Sequence, residues 1–249
     1  MNQLRRMREL KSFTLRATDG DIGSLEELYF DDKSWAVRYL VVNTGSWLLG
    51  RRVLLAPMAV AGVEEAHRVV RIKLTRDQIE TGPPVDIVKP ISRAYEEEYY
   101  RHFQWAPYWQ PGLMPGTNPL VYPTTPPLIV DKPPLDEEQL AHPHLRRSAE
   151  VAGYSIQASD GMIGHVEDVI VDDEGWVVRY FEVDTRNWLP GKKVLVAPAW
   201  IDYISWADQS VVMTLTQEAI QSAPPYDPSK VITPEYEVEL LKHYGNTRS

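Results

Sequence analysis

The chain repeats itself at long range. "WLLGRRVLLAP" at residues 47–57 returns as "WLPGKKVLVAP" at residues 188–198, 141 residues later. Shifted by 141, the sequence lies on itself without a gap from "ATDGDIGSLEELYFDD" over "ASDGMIGHVEDVIVDD" to "ISRAYEEEYYRHF" over "ITPEYEVELLKHY". About 40% of positions between Ala17 and Asp86 are identical to their partners, which marks a duplication. The period is too long for a solenoid, whose units run about 20–50 residues, so the duplicated unit is a whole domain. Residues 13–86 and 154–227 are therefore expected to superpose.

Between the copies, ten of the chain's 20 prolines fall between Pro107 and Pro143. Proline fixes φ and removes a backbone donor, which excludes a helix or an inner strand there. The stretch reads as an extended connector, yet Trp105, Tyr108, Trp109 and Tyr122 make it too apolar for a free linker. Three segments follow: a first domain with its C-terminal helix over 8–103, a proline- and aromatic-rich connector over 104–147, and a second domain with its helix over 148–245.

Within each copy, "DIGSLEELYFDD" and "MIGHVEDVIVDD" predict a strand that ends in a turn, and "WAVRYLVVNT" and "WVVRYFEVDT" the strand that pairs with it as a hairpin. "RRVLLAP" and "KKVLVAP" predict a third strand, and "VVRIKLT" and "SVVMTLT" a late one. Thr75 and Thr216 are placed to cap a short helix, and Ser92 and Thr233 a final one, with Pro234 at its first position. Short strands at about ten-residue spacing predict a small barrel that closes on itself. Trp47 and Trp188 precede the "L-x-G" turns as large apolar anchors that fold the loop back.

The "DG-x-IG" turn, the acidic hairpin, the "RY" strand and the "W-L-x-G" loop together resemble the PRC-barrel family, the β-barrel of the photosynthetic reaction centre H subunit and of the C-terminal domain of a ribosome-maturation factor. The resemblance spans both repeats. It implies a mainly β fold of two small PRC-type barrels, each followed by short helices, and a non-enzymatic module that docks on other macromolecules. The H subunit's N-terminal membrane helix and the maturation factor's N-terminal domain have no counterpart in these residues.

Composition narrows the function classes. With no cysteine, disulfides, thiolate metal sites and a cysteine nucleophile are excluded. No run of 18 apolar residues predicts a membrane span, and the start lacks the apolar stretch of a secretory signal, so a cytoplasmic address is expected. Residues 150–249 carry 7 basic and 16 acidic side chains, which disfavours direct contact with nucleic acid. The repeated carboxylates, including Glu26 and Glu167, read as strand and turn residues, because no nucleophile or phosphate loop accompanies them. The scattered histidines offer no metal set, so no metal and no cofactor is expected.

The structural and interface candidates are few. Arg38 and Arg179 sit mid-strand between apolar residues, where a cation needs a partner; Glu26 and Glu167 are the expected ones. Tyr95, Tyr99 and Phe103 share a helix face, and Tyr99 and Trp109 head an aromatic group suited to packing or to a partner. Tyr39 and Tyr180 lie on a strand apolar on both faces, with Trp35, Val37 and Val41, or Trp176, Val178 and Glu182, beside them. Such a face predicts pairing of the two domains about a pseudo-two-fold, or a homodimer. The function expected is an adaptor or assembly module acting through protein–protein contacts. The alternatives are a membrane-associated electron-transfer accessory, and a hydrolase using the repeated carboxylates.

Overall fold

β-Branched and aromatic residues fill the segments that pair. In the structure, a computed structural model that describes residues 3–87, 89–109, 144–185 and 192–245, two seven-stranded sheets hold most of them. Both sheets belong to one compact unit, Met1–Arg76 with His144–Ser249; Asp77–Pro143 form a second.

The N-terminal half supplies β1 (Leu4–Arg6), α1 (Met7–Leu10), β2 (Thr14–Ala17), β3 (Gly20–Asp31), β4 (Val37–Asn43), β5 (Arg52–Leu55), β6 (Val60–Glu64) and β7 (Val69–Ile72). Next come α2 (Arg76–Glu80) and α3 (Arg93–His102). The C-terminal half supplies β8 (Leu145–Arg147), α4 (Ser148–Val151), β9 (Ser155–Ala158), β10 (Gly161–Asp172), β11 (Val177–Asp184), β12 (Lys193–Val196), β13 (Ile201–Ser205), β14 (Ser210–Met213), α5 (Gln217–Gln221) and α6 (Pro234–Gly245). The strand order β5-β4-β3-β2-β7-β6 recurs as β12-β11-β10-β9-β14-β13.

The long β3–β4 hairpin is the centre of its sheet, and Leu25, Leu28, Phe30, Leu40 and Val42 along it are buried. The second glycine of "DG-x-IG" has a steric cause. Gly23 has φ +131°, and a Cβ there would stand 2.0 Å from the Asn43 carbonyl oxygen. At Gly164 it would stand 2.1 Å from that of Asp184, so only glycine lets the strands approach so closely.

The expected closure into barrels is not seen. Each order is an open path whose ends, β5 and β6 or β12 and β13, are not paired with each other among the described residues. A 3₁₀ turn, Pro57–Ala59 or Pro198–Trp200, separates these end strands, and its proline has no N–H to offer a ladder.

Each sheet is completed instead by a strand from the other half. β1 pairs antiparallel with β10, as Leu4↔Asp172, Arg5↔Val171 and Arg6↔Ile170. β8 pairs antiparallel with β3, as Leu145↔Asp31, Arg146↔Phe30 and Arg147↔Tyr29. The two registers are the same once 141 is subtracted. Between these seams Ala36 bridges Val177. The Val37 N–H donates to the Trp176 carbonyl at 2.7 Å, and the Val178 N–H to that of Trp35 at 2.8 Å. Residue i meeting j while j meets i is the signature of a local two-fold, here at Ala36 and Val177.

Trp35 and Trp176 present those carbonyls from left-handed backbone, φ +62° and +49°. That conformation costs a bulky residue on the order of 1–2 kcal/mol, and the cross-sheet hydrogen bonds offset it. The Trp35 ring stacks on Phe30 at 5.9 Å and meets Phe181 of the other sheet edge-on at 5.7 Å. Val37, Tyr39 and Val41 are buried, as are Trp176, Val178 and Tyr180.

The exchange predicts the behaviour of a fragment. Residues 144–249 alone carry β8 and the β10 edge that β1 fills in the whole chain. Both short strands read Leu-Arg-Arg, so β8 of one fragment fits β10 of another. The fragment is expected to be a dimer in light scattering; a folded monomer would show that the exchange is dispensable.

Candidate functional site

The borrowed strands bring arginines onto acidic strands, and these seams gather a network of ion pairs among the described residues. In one seam, Arg147 makes a two-pronged contact with Glu27, at 2.9 and 2.8 Å, and Glu27 is buried. The hydrogen bond to Glu27 holds the Arg147 guanidinium above its ordinary range. Arg146 donates to Asp32 at 3.0 Å, and His144 Nδ1 lies 3.0 Å from the same carboxylate.

The other seam repeats the plan with altered parts. Arg5 donates to Asp173 at 2.5 Å, as Arg146 does to Asp32, and also pairs with Glu9 and Glu65. Burial lowers the Arg5 pKa, but its carboxylate partners more than offset this and raise it overall. Arg6 stands in the place of Arg147. Its matching carboxylate is Asp168, one methylene shorter than Glu27 and 3.6 Å away. The shortfall is met by Glu182, which accepts from Arg6 at 2.8 Å and from Lys193 at 2.6 Å. Glu182 occupies the position of Val41, is 0% exposed, and does not face outward as its sequence pattern predicts.

Burial raises the Asp168 carboxyl above its ordinary range, despite hydrogen bonds from the Arg8 and Val169 N–H groups. Burial also pushes Glu167 up, but Arg8 and Lys193 hold it below its ordinary value. His165, Glu167 and Asp184 bring ligand atoms within 4.8 Å of one another. Arg8 already pairs with Glu167 in that group, and Lys193 lies 3.6 Å from it. A cleft of ≈ 550 Å³ opens beside β1, and Arg5, Arg6 and Arg8 line it with their guanidinium groups held by these carboxylates. The arrangement neutralises charge and fixes register. It also clamps Asp168 and Glu182 around a guanidinium, which does not exchange protons in the physiological range.

The expected pairing of Arg38 with Glu26 and of Arg179 with Glu167 is not what the structure shows. Arg38 lies 3.9 Å from Asp31 and donates to the Ser34 hydroxyl at 3.1 Å. Exposed Arg179 reaches Glu237 of α6 at 3.3 Å. The reason is register: Tyr29 faces Tyr39, so Arg38 sits near the turn, while Glu26 lies in the bulge opposite Val41 and Val42. About three residues of strand, roughly 10 Å, separate them. Glu26 instead meets Arg52 at 2.9 Å.

The remaining candidates scatter. Tyr180 is buried and donates to Glu237 at 2.8 Å; burial and that carboxylate raise its pKa. Tyr39 is fully buried. Trp47 is half-buried beneath the Arg76 guanidinium, 4.8 Å from its ring, while Trp188 lies outside the described residues. In the second unit, Tyr99 is buried among Tyr95, Tyr100, Phe103 and Trp105, and Arg93 lies 4.0 Å over the Trp109 ring. Arg6 and Arg147 escaped the sequence, while Glu27 and Glu182 were read there as a strand carboxylate and an outward position and not as their partners. The signal of the arginines is the "LRR" at residues 4–6 and 145–147, again 141 apart.

Residues 144–215 match the family model of the PRC-barrel domain. No curated protein matches the chain.

Arg147→Ala strands buried Glu27 and is expected to lower unfolding free energy by about 3 kcal/mol or more in urea titration. Glu182→Val is also expected to destabilise, and adding Asp168→Glu, which installs the first seam's pair, should recover about 1–2 kcal/mol. Additive effects would mean the carboxylates act independently.

The pH dependence has a definite sign. The folded Asp168 carboxyl titrates above its unfolded value of about 3.9, so between those values the folded chain binds the proton more readily. Asp168 therefore lowers stability as pH rises through that window. Asp168→Asn should remove this fall, read as unfolding midpoints across acidic pH.

Proposed function

We propose that the chain is a non-enzymatic adaptor or assembly module of the PRC-barrel type, acting in the cytoplasm through protein–protein contacts. In this reading its halves are copies of one unit. They pair within one chain by the route a single-unit protein would use between chains. The PRC-barrel match over residues 144–215 supports the reading. That matched segment takes in β8, whose ladder lies on the sheet of the other half.

The observation that carries the proposal is the state of the carboxylates. Glu27, Asp168 and Glu182 are the repeated or compensating acids buried at the seam, and each lies against a guanidinium or ammonium. Acids so engaged serve the join between the sheets and leave outward surfaces for a partner. No described helix is long and apolar enough to cross a membrane, which favours a soluble partner over an accessory embedded in a bilayer.

The test is quantitative co-purification of the tagged full-length chain from its native cell, followed by mass spectrometry. Proteins enriched above a tag-only control are expected. Recovery of none, or hydrolytic turnover that Glu182→Gln abolishes without unfolding the chain, would overturn the reading.

A further inference from the structure

We infer that the outer face of α6, around Val238 and Leu241, is the docking site for an extended peptide of a partner protein, one carrying aromatic and basic residues. The inference rests on the adaptor reading and locates its contact surface. It comes from comparing α6 with α3, its counterpart 141 residues earlier, each within its own surroundings.

The two helices share a frame. Ser92 Oγ accepts from the Tyr95 N–H at 3.1 Å, and Thr233 Oγ1 from the Tyr236 N–H at 3.3 Å. The Tyr95 hydroxyl donates to the Pro83 carbonyl and the Tyr236 hydroxyl to that of Pro224, both at 3.2 Å. What differs is the cover. On α3, Tyr100 is buried, with Tyr108 at 6.0 Å and Trp109 at 5.3 Å from its ring. Both rings come from the chain just beyond the helix. Tyr108 donates to Glu96 at 2.9 Å, and Arg93 pairs with Glu96 at 3.0 Å while lying over Trp109.

On α6 the position of Tyr100 is Leu241, and it is 55% exposed. Val238, where α3 has Glu97, is 49% exposed. The bare face is thus more apolar than the matching positions of α3, where Tyr100 is covered and Glu97 is exposed. A two-residue apolar step on a charged helix is small, so a short segment fits it better than a broad protein face. The covered helix shows the chemistry of the fit: a tyrosine and a tryptophan laid across the helix, the phenol reaching its glutamate.

Charge decides the rest. The acid of α3, Glu96, is kept as Glu237, but the cation Arg93 has become Pro234. Arg179 and Tyr180 both engage Oε1 of Glu237, and Oε2 accepts no hydrogen bond from the described residues. Exposed Glu235 and Glu239 flank the apolar step. Arg179 takes the part of that cation at Glu237, but Glu235 and Glu239 stay exposed beside the apolar step, and this surplus of negative charge makes the occupant basic as well as aromatic.

The probe is a fluorescein-labelled peptide of the sequence Gln-Trp-Ala-Pro-Tyr-Trp followed by two arginines, titrated with the full-length chain by anisotropy. Saturable binding is expected, at least about tenfold weaker for Leu241→Glu and weaker again when glutamates replace the arginines. Both α6 side chains face solvent, so circular dichroism and melting should not change; Leu241→Gln provides a second, milder variant. No binding by about 1 mM, or equal binding by wild type and both variants, overturns the site. A wild-type dimer in light scattering that Leu241→Glu dissolves also overturns it, by making a second copy the occupant. In the co-purification experiment, partners recovered equally by wild type and Leu241→Glu overturn the docking site alone. Recovery of nothing by wild type ends the adaptor reading, whatever the peptide does.

Discussion

Two three-residue strands, each laid on the other half's sheet, are the contact on which the remaining organisation depends. A strand of three residues has no independent stability; it persists because a preformed edge supplies its hydrogen bonds. Here its side chains do as much as its backbone. Arg147 reaches buried Glu27, and Arg6 reaches buried Glu182, so each sheet buries acids that the other half helps to neutralise. Removing either strand would leave an open edge and unpaired buried charge together. The two sheets are thereby coupled through groups that cost least when both seams are formed.

The seams show how such a join drifts without failing. One uses a glutamate opposite a valine, Glu27 and Val41; the other uses an aspartate opposite a glutamate, Asp168 and Glu182. Shortening one acid moves it out of close contact with Arg6, and the new acid restores the contact from the neighbouring strand. Lys193, in the place of Arg52, donates to the new acid at 2.6 Å. Reach and register are preserved while the individual residues change. Such compensation is open only to residues sharing one network.

Much of this was legible in the sequence, and the reasons for the rest are physical. The gapless repeat, the β3–β4 hairpin, the helix caps and the apolar pairing strand all express local rules of period, turn and cap. The arginine strands do not. Three residues are too few to show alternation, and their partners lie about 140 residues away in the other half. The partner of Arg38 was missed because the hairpin register sets it beside Tyr29 and Phe30, about three residues of strand from Glu26, which strand periodicity alone does not reveal. Closure was expected because a small sheet must protect its edges. The structure shows an open path instead, with the borrowed strand pairing beside β3 or β10 rather than joining the two ends.

Holding two sheets of one strand order in a single chain changes what the surfaces are free to do. In a homodimer each substitution appears on both subunits, so a face covered on one is covered on the other. A single chain with both sheets is released from that rule. The seam must stay complementary, and its residues vary only in compensated sets. The helices after each sheet carry no such constraint. One has Tyr100 beneath Tyr108 and Trp109; the other presents Val238 and Leu241 to solvent. Pairing the sheets within the chain thus uses the shared face once and leaves the residues of the two helices, Tyr100 against Leu241 and Glu97 against Val238, free to differ.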